Sequence, residues 1–347
     1  MATNVSPHAR LLGLHGDLHI DFVKSRALEG NALGDPAERP VIVYTPARYD
    51  ANGSTRYPVL YCLHGYTGDA AALIAARPWE TNVVQWIDRL ILAGRMQPAL
   101  LVIVDGFTRL GGSQYVNSVH NGNYATYVIE DVVGHVDRSY RTLAREAGRA
   151  VLGKSSGGFG SLYLTMTYPG TFAAFACHSG DSYFWYAQPR GFVDAHRTLE
   201  RHGWNIAAFV EDFESKPKRQ PAEYTTMEML AYTAAYSPRS AAAFDLELPF
   251  DRETGALRDE VFARWLAFDP AEMCLRKQAE LARLRLRYLD CGRRDEYGLD
   301  VGARLLAQRM RAMGLSVTHE EFDDDHRNVG YRYEISLPAL AGVLEHE

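Results

Sequence analysis

The sequence predicts an α/β chain, a mostly parallel central sheet flanked by helices and carrying an inserted helical cap. Three observations lead there. Short apolar runs alternate with amphipathic helical patterns; a serine between glycines follows one run and opens a helix; and residues 181–283 lack convincing strand character.

Strands buried on both faces read as continuous apolar runs rather than as alternating ones. Seven segments have that character: Val41–Thr45, Val59–Leu63, Leu100–Val104, Ala150–Leu152, Phe172–Cys177, Leu284–Leu289 and Leu315–His319. Between them, Val83, Ile87, Leu90 and Ile91 share one helical face, as do Val128, Val132, Val133 and Val136 in the segment ending at Tyr140. Leu306, Met310 and Met313 repeat the spacing, and Gly314 supplies a stop. The stretch from Asp181 to Arg283 holds several helical patterns and many aromatics, among them Phe184, Trp204, Tyr224, Tyr232, Tyr236, Trp265 and Phe268. Packing the insert onto the core is the expected task of most of them. The chain is therefore read as a single domain over residues 1–347, with a cap over 181–283.

With 347 residues, 47% hydrophobic and 23% charged, the chain can bury a large core. A net charge of -6, without a run of five basic residues, argues against an electrostatic nucleic-acid binder. The acids Glu320, Glu321, Asp323, Asp324 and Asp325 read as a solvated loop. His8, Arg10 and Asp17 break the first twenty residues, so neither a secretory leader nor a membrane span is read there, and a cytoplasmic protein is expected. Cys62, Cys177, Cys274 and Cys291 are read as buried free thiols. Neither Cys-x-x-Cys nor His-Glu-x-x-His spacing occurs, so no metal or cofactor is expected. Oligomeric state is not legible in one sequence.

The sharpest signal is Gly153-Lys154-Ser155-Ser156-Gly157-Gly158, directly after the strand Ala150–Leu152 and before an apolar helix containing Leu162 and Leu164. This is the context of a nucleophile elbow in an α/β-hydrolase fold, where a serine on a tight strand-to-helix turn needs neighbours without side chains. The motif places the nucleophile at its third position, Ser155. The Ser156 amide is expected to form one half of an oxyanion hole, and the loop Leu63–Gly68 the other, through the amide of Tyr66. His64 in that loop is read as holding it by hydrogen bonding. A triad on this fold runs in the order Ser, acid, His, each residue leaving the C-terminal end of a strand. Asp295, beyond a glycine turn, is favoured as the acid over Asp290, which lies within the strand end. Of the histidines after it, His319 falls in a strand pattern and His346 at the terminus, leaving His326 as the base. Tyr115 and Trp185, near predicted strand ends, are taken with Tyr66 as candidates to line the substrate pocket.

The Leu-His-Gly-Tyr-Thr-Gly loop, the Gly-Lys-Ser-Ser-Gly-Gly elbow and the Asp290–Asp295 segment resemble the esterase family that includes esterase D. So do Ser113-Gln114-Tyr115, the segment His120–Tyr124 and the helix ending Val136–Thr142. Members include S-formylglutathione hydrolases, feruloyl, acetylxylan and enterobactin esterases, and mycolyltransferases. The resemblance implies acyl-ester chemistry without a metal and a small-molecule ester as substrate. Lys154 stands where many members carry other residues, and the cap is longer than in compact members, which argues against formylglutathione specificity. The expected activity is serine-dependent hydrolysis of short-chain or aryl carboxylic esters. An acyltransferase of the mycolyltransferase kind, or a non-catalytic binding protein, would use the same scaffold.

Overall fold

In a computed structural model, which describes residues 6–347, the apolar runs assemble into one eight-stranded sheet. Its strands are β1 (Asp17–Lys24), β2 (Glu38–Thr45), β3 (Val59–Leu63), β4 (Leu100–Val104), β5 (Arg149–Lys154), β6 (Ala174–His178), β7 (Leu286–Gly292) and β8 (Thr318–Phe322). Their spatial order is β1-β2-β4-β3-β5-β6-β7-β8. The pairs β1–β2 and β2–β4 are antiparallel, and the other five are parallel.

Helices α1 (Val83–Leu92), α2 (Val133–Ser139) and α3 (Ser156–Thr167) connect the first strands. Between β6 and β7 lie α4 (Phe192–Arg201), α5 (Ile206–Ser215), α6 (Pro221–Tyr236), α7 (Asp259–Leu266) and α8 (Pro270–Arg276); α9 (Leu299–Ala312) and α10 (Tyr333–Ala341) close the chain. The pleat explains the continuous apolar runs. Val59, Tyr61 and Leu63 of β3 join Val136, Leu306 and Met310 in one core layer, while Leu60 and Cys62 join Ile87, Leu90 and Leu337 in the other. The segment between β6 and β7 packs around a third cluster, in which its Phe192, Leu230, Tyr236 and Trp265 are buried together with Leu110 and with Phe159 of α3. All four cysteines are free and buried.

Two strand readings need correction. β1 was not foreseen, because it is an edge strand whose Ile20 and Phe22 stay partly exposed and whose sequence mixes apolar and charged residues. The last strand begins at Thr318 rather than Leu315: Leu315 and Val317 pack against the core on the approach, and pairing with β7 starts three residues later. Two of the five acids read as loop therefore lie on β8, where Glu321 meets Arg304 at 2.7 Å and Glu320 meets Arg332.

Candidate active site

The parallel strands all point their C-terminal ends at one edge of the sheet, and the loops leaving β3, β5, β6, β7 and β8 meet there. β5 ends at Lys154, and Ser155 turns the chain into α3 with φ 57° and ψ −125°. A non-glycine residue in that region carries about 1–3 kcal/mol of strain. The turn is held by the Ser155 amide, which donates to the His178 carbonyl at 2.9 Å. The glycines are there for space. A Cβ on Gly157 would lie 2.1 Å from the Leu63 carbonyl oxygen, so α3 can start this close to β3 only without one. A Cβ on Gly65 would press to 3.3 Å from the Ser155 Cβ, which shows how tightly the loop after β3 covers the serine.

Ser155 Oγ lies 3.1 Å from His326 Nε2, and His326 Nδ1 lies 2.8 Å from Asp295 Oδ2. With Nδ1–H donating to the Asp295 carboxylate, Nε2 is left as an acceptor for the serine hydroxyl. Burial alone would raise the Asp295 pKa; the hydrogen bond and charge of His326, with amides from Tyr297 and Leu299, outweigh it and hold the carboxyl below its ordinary value. The Tyr297 ring packs edge-on to His326 with centroids 4.8 Å apart, and the His326 amide donates to Glu296 at 3.0 Å.

The amides of Tyr66 and Ser156 donate no hydrogen bond among the described residues, so both are free for an incoming oxygen. Each is steadied by its neighbours. Gln114 Nε2 donates to Ser156 Oγ at 3.0 Å, and the Tyr66 hydroxyl donates to the Leu110 carbonyl at 2.9 Å. His64 Nδ1 donates to the Gly65 carbonyl at 2.8 Å, and His64 Nε2 accepts from the Gly106 amide at 2.8 Å. Burial pushes the His64 pKa down, and with both nitrogens engaged the ring holds the loop as a neutral group.

Ser155, His326, Tyr66 and Lys154 open onto a cavity of about 640 Å³, lined also by residues from the segment between β6 and β7, among them Asp181, Tyr224, Glu228, Met229 and Tyr232. A second cavity of about 270 Å³ shares Gly65, Tyr66 and Lys154 with the first. Among the described residues no group of three or more His, Cys, Asp or Glu side chains is arranged to hold a metal. No helix among them is long and apolar enough to cross a membrane.

Of the residues expected at the site, Ser155, Asp295, His326, Ser156 and Tyr66 come together. Tyr115 and Trp185 do not reach the cavity. Tyr115 is 2% exposed, and its hydroxyl donates to the His64 carbonyl at 2.8 Å, so it buttresses the loop from behind. Trp185 faces outward, 48% exposed, with its ring edge-on to Phe262 at 4.8 Å. Sequence reasoning missed His178, Asp181 and Glu228. For Asp181 there was a signal, an acid just beyond the C-terminal end of an apolar run; for a glutamate inside a long helix there was none.

An eight-stranded, mostly parallel sheet with a serine elbow after β5 and helices on both faces is the α/β-hydrolase fold. Solved structures agree: an S-formylglutathione hydrolase from Agrobacterium tumefaciens superposes with a TM-score of 0.60 at 15% identity, covering 96% of this chain and 97% of its own. A ferulic acid esterase does so with a TM-score of 0.57 at 18% identity, over 95% and 98%. The family described as Putative esterase matches residues 31–327, and the chain belongs to it. Among curated relatives, the esterase Rv1288 of Mycobacterium tuberculosis is 36% identical over 141 residues, which is 40% of this chain and 28% of that protein. An endo-1,4-beta-xylanase/feruloyl esterase of Xylanibacter ruminicola is 26% identical over 153 residues, 41% of this chain and 19% of its own length. This chain thus matches well under a third of either relative.

Proposed function

We propose that the chain is a serine carboxylic ester hydrolase in which Ser155 is the nucleophile, His326 the base and Asp295 the orienting acid. The observation that carries this reading is the continuous line from Ser155 Oγ through His326 to Asp295, at 3.1 and 2.8 Å, opening onto a cavity beside two unengaged amides. In the reaction, His326 Nε2 takes the Ser155 proton as Oγ adds to the ester carbonyl, and the amides of Tyr66 and Ser156 receive the developing oxyanion. His326 then passes the proton to the leaving alcohol. Water enters, gives its proton to His326 and attacks the acyl-enzyme; collapse releases the acid and restores Ser155. Throughout, Asp295 keeps the imidazole in its Nδ1-protonated form and stabilises its cation. Residues 181–283 act as a cap that shapes the acyl pocket. Family membership supports ester chemistry, and the feruloyl and formylglutathione activities in relatives' names mark aryl and short acyl groups as the first substrates to try.

The test is hydrolysis of 4-nitrophenyl acetate, butyrate, octanoate and ferulate by the wild type and by Ser155→Ala. The variant is expected to lose about four to six orders of magnitude in kcat. An unchanged rate rejects Ser155 as nucleophile, and acyl transfer to added glycerol dominating over free acid would make the protein an acyltransferase instead.

A further inference from the structure

The cavity beside Ser155 also holds two buried carboxyl groups that the protein leaves short of hydrogen-bond partners. Asp181, just beyond β6, is 5% exposed, and Glu228 and Tyr232 lie one turn apart on α6. The Tyr232 hydroxyl is 3.4 Å from Asp181 Oδ2 and 3.3 Å from Glu228 Oε1. One hydroxyl proton cannot serve two carboxylates at once, and Asp181 Oδ1 meets no donor among the described residues although the side chain borders the cavity. Neither acid forms an ion pair among those residues. Burial lifts the Asp181 pKa to about 7 and, with help from Asp181, that of Glu228 to about 8.

None of the cations bordering the cavity forms an ion pair with Asp181 or Glu228 among the described residues. Arg327 is 75% exposed and pairs with Glu296 at 3.1 Å, Arg219 donates to the carbonyls of Phe213 and Glu214, and Arg190 is exposed. Lys154 adjoins the nucleophile; the strongest acid fields on it are those of Asp295 and Glu296, and its own field reaches Asp181 without outweighing the burial that raises that carboxyl. Meanwhile Tyr66, Tyr232 and Tyr297 border the same space, and the field of Glu228 reaches all three hydroxyls. Two under-partnered carboxyls among aromatic rings form an environment that favours an organic cation, by hydrogen bonding and charge on one side and by cation–π attraction on the other.

We propose that Asp181, Tyr232 and Glu228 form a subsite for a cationic group, a protonated amine or a quaternary ammonium, carried by the ester substrate. This deepens the esterase reading and rests on it. Binding completes the carboxyl hydrogen bonds or ion pairs that the fold leaves open, so the subsite contributes to selection among esters rather than to bond cleavage.

The test uses 4-nitrophenyl alkanoates in chain-length series with four ends: amino, trimethylammonio, plain methyl and carboxylate. For the wild type, kcat/KM for a cationic ester at the best length is expected to exceed that of its neutral match by about tenfold or more. Glu228→Gln and Asp181→Asn are each expected to move that ratio toward one. Hexyltrimethylammonium should inhibit the wild type competitively, with a Ki that rises in both variants. Either order between the amino and trimethylammonio ends supports the subsite, the first pointing to the carboxyls and the second to the ring faces. Equal rates for cationic and neutral esters at every length, or a preference for the carboxylate end, overturn it. Should the wild type cleave neutral esters through Ser155 yet show no cationic preference, the subsite falls and the esterase reading stands; a Ser155→Ala variant that keeps its rate removes the esterase reading first.

Discussion

The fold holds two imidazoles that each lie between an aspartate and a serine hydroxyl. His326 sits 2.8 Å from Asp295 and 3.1 Å from Ser155; His178 sits 2.7 Å from Asp290 and 2.9 Å from Ser336. On distances alone the second set is as good a triad as the first. Ser336, however, is fully buried within α10 on ordinary helical backbone, whereas Ser155 stands on a strained turn at the cavity. Asp290 is clamped by Arg332 at 2.8 Å and by the Tyr288 hydroxyl at 3.1 Å, while Asp295 is met by amides and no basic side chain other than its histidine. The first set has two idle amides beside it, and the second is buried, with His178 and Asp290 each 1% and Ser336 0% exposed. A hydroxyl, an imidazole and a carboxylate in line make a proton path; access and oxyanion donors turn such a path into a candidate for catalysis. The buried set still bears on the open one, since the His178 carbonyl receives the Ser155 amide.

Exchanging the two aspartates for asparagine separates their roles most strongly. Asp295→Asn is expected to lower kcat on a 4-nitrophenyl ester by about 10⁴-fold, because the amide can stabilise the wrong imidazole tautomer, with a smaller loss of stability than Asp290→Asn. Asp290→Asn should do the reverse. It leaves His178 buried without its anion and Arg332 with Glu320 alone, so a loss of about 3–5 kcal/mol in denaturant unfolding is expected, with turnover kept in the folded fraction. A 10³-fold kinetic defect in folded Asp290→Asn would contradict the division.

Acid sharpens the same contrast. Asp290 and Asp295 both have folded pKa values below their ordinary ones: burial would raise them, and their histidine partners, with Arg332 at Asp290, outweigh it. Each therefore adds stability that is fully present above the unfolded value of about 3.9 and lost as pH falls through the lower folded value. Urea midpoints taken from pH 6 to pH 2.5 should fall steeply below about 4 in the wild type and less so in Asp290→Asn. Asp181 carries the opposite sign. Its folded pKa is raised to about 7, so its contribution is complete below the unfolded pKa and lost as pH rises through the folded one. Asp181→Asn should gain on the wild type steadily as pH rises from about 4 to about 7, by about 1–3 kcal/mol or more in all; a stability difference that does not change across that range would count against a buried, uncompensated carboxylate. The smallest effect belongs to Ser336→Ala, with about 1 kcal/mol lost for one buried hydrogen bond and kcat within about threefold.

Much of this molecule was legible before folding because its signals are local or ordinal. Strands covered on both faces must be apolar throughout, so the central runs stood out, while β1, at the edge and half exposed, did not. An elbow needs glycines within a few residues of its serine, which marks Ser155, and the order of loops at one edge of a parallel sheet picks Asp295 and His326 from a crowd of acids and histidines. Tyr115 and Trp185 failed as pocket residues for the complementary reason: a position near a strand end says which rim a residue occupies and nothing of the side to which its ring turns.

By itself, then, the sequence determined the layered architecture, the turn that exposes one serine and the chain order of its partners, since each follows from spacing along the backbone. Only the tertiary structure decided that Asp290 and Ser336 would enclose a second histidine, that Tyr115 would support a loop, and that Asp181 and Glu228 would share one tyrosine hydroxyl inside a cavity. Those outcomes depend on where residues tens to hundreds of positions apart converge, and on how much water their convergence leaves behind, neither of which any local pattern encodes.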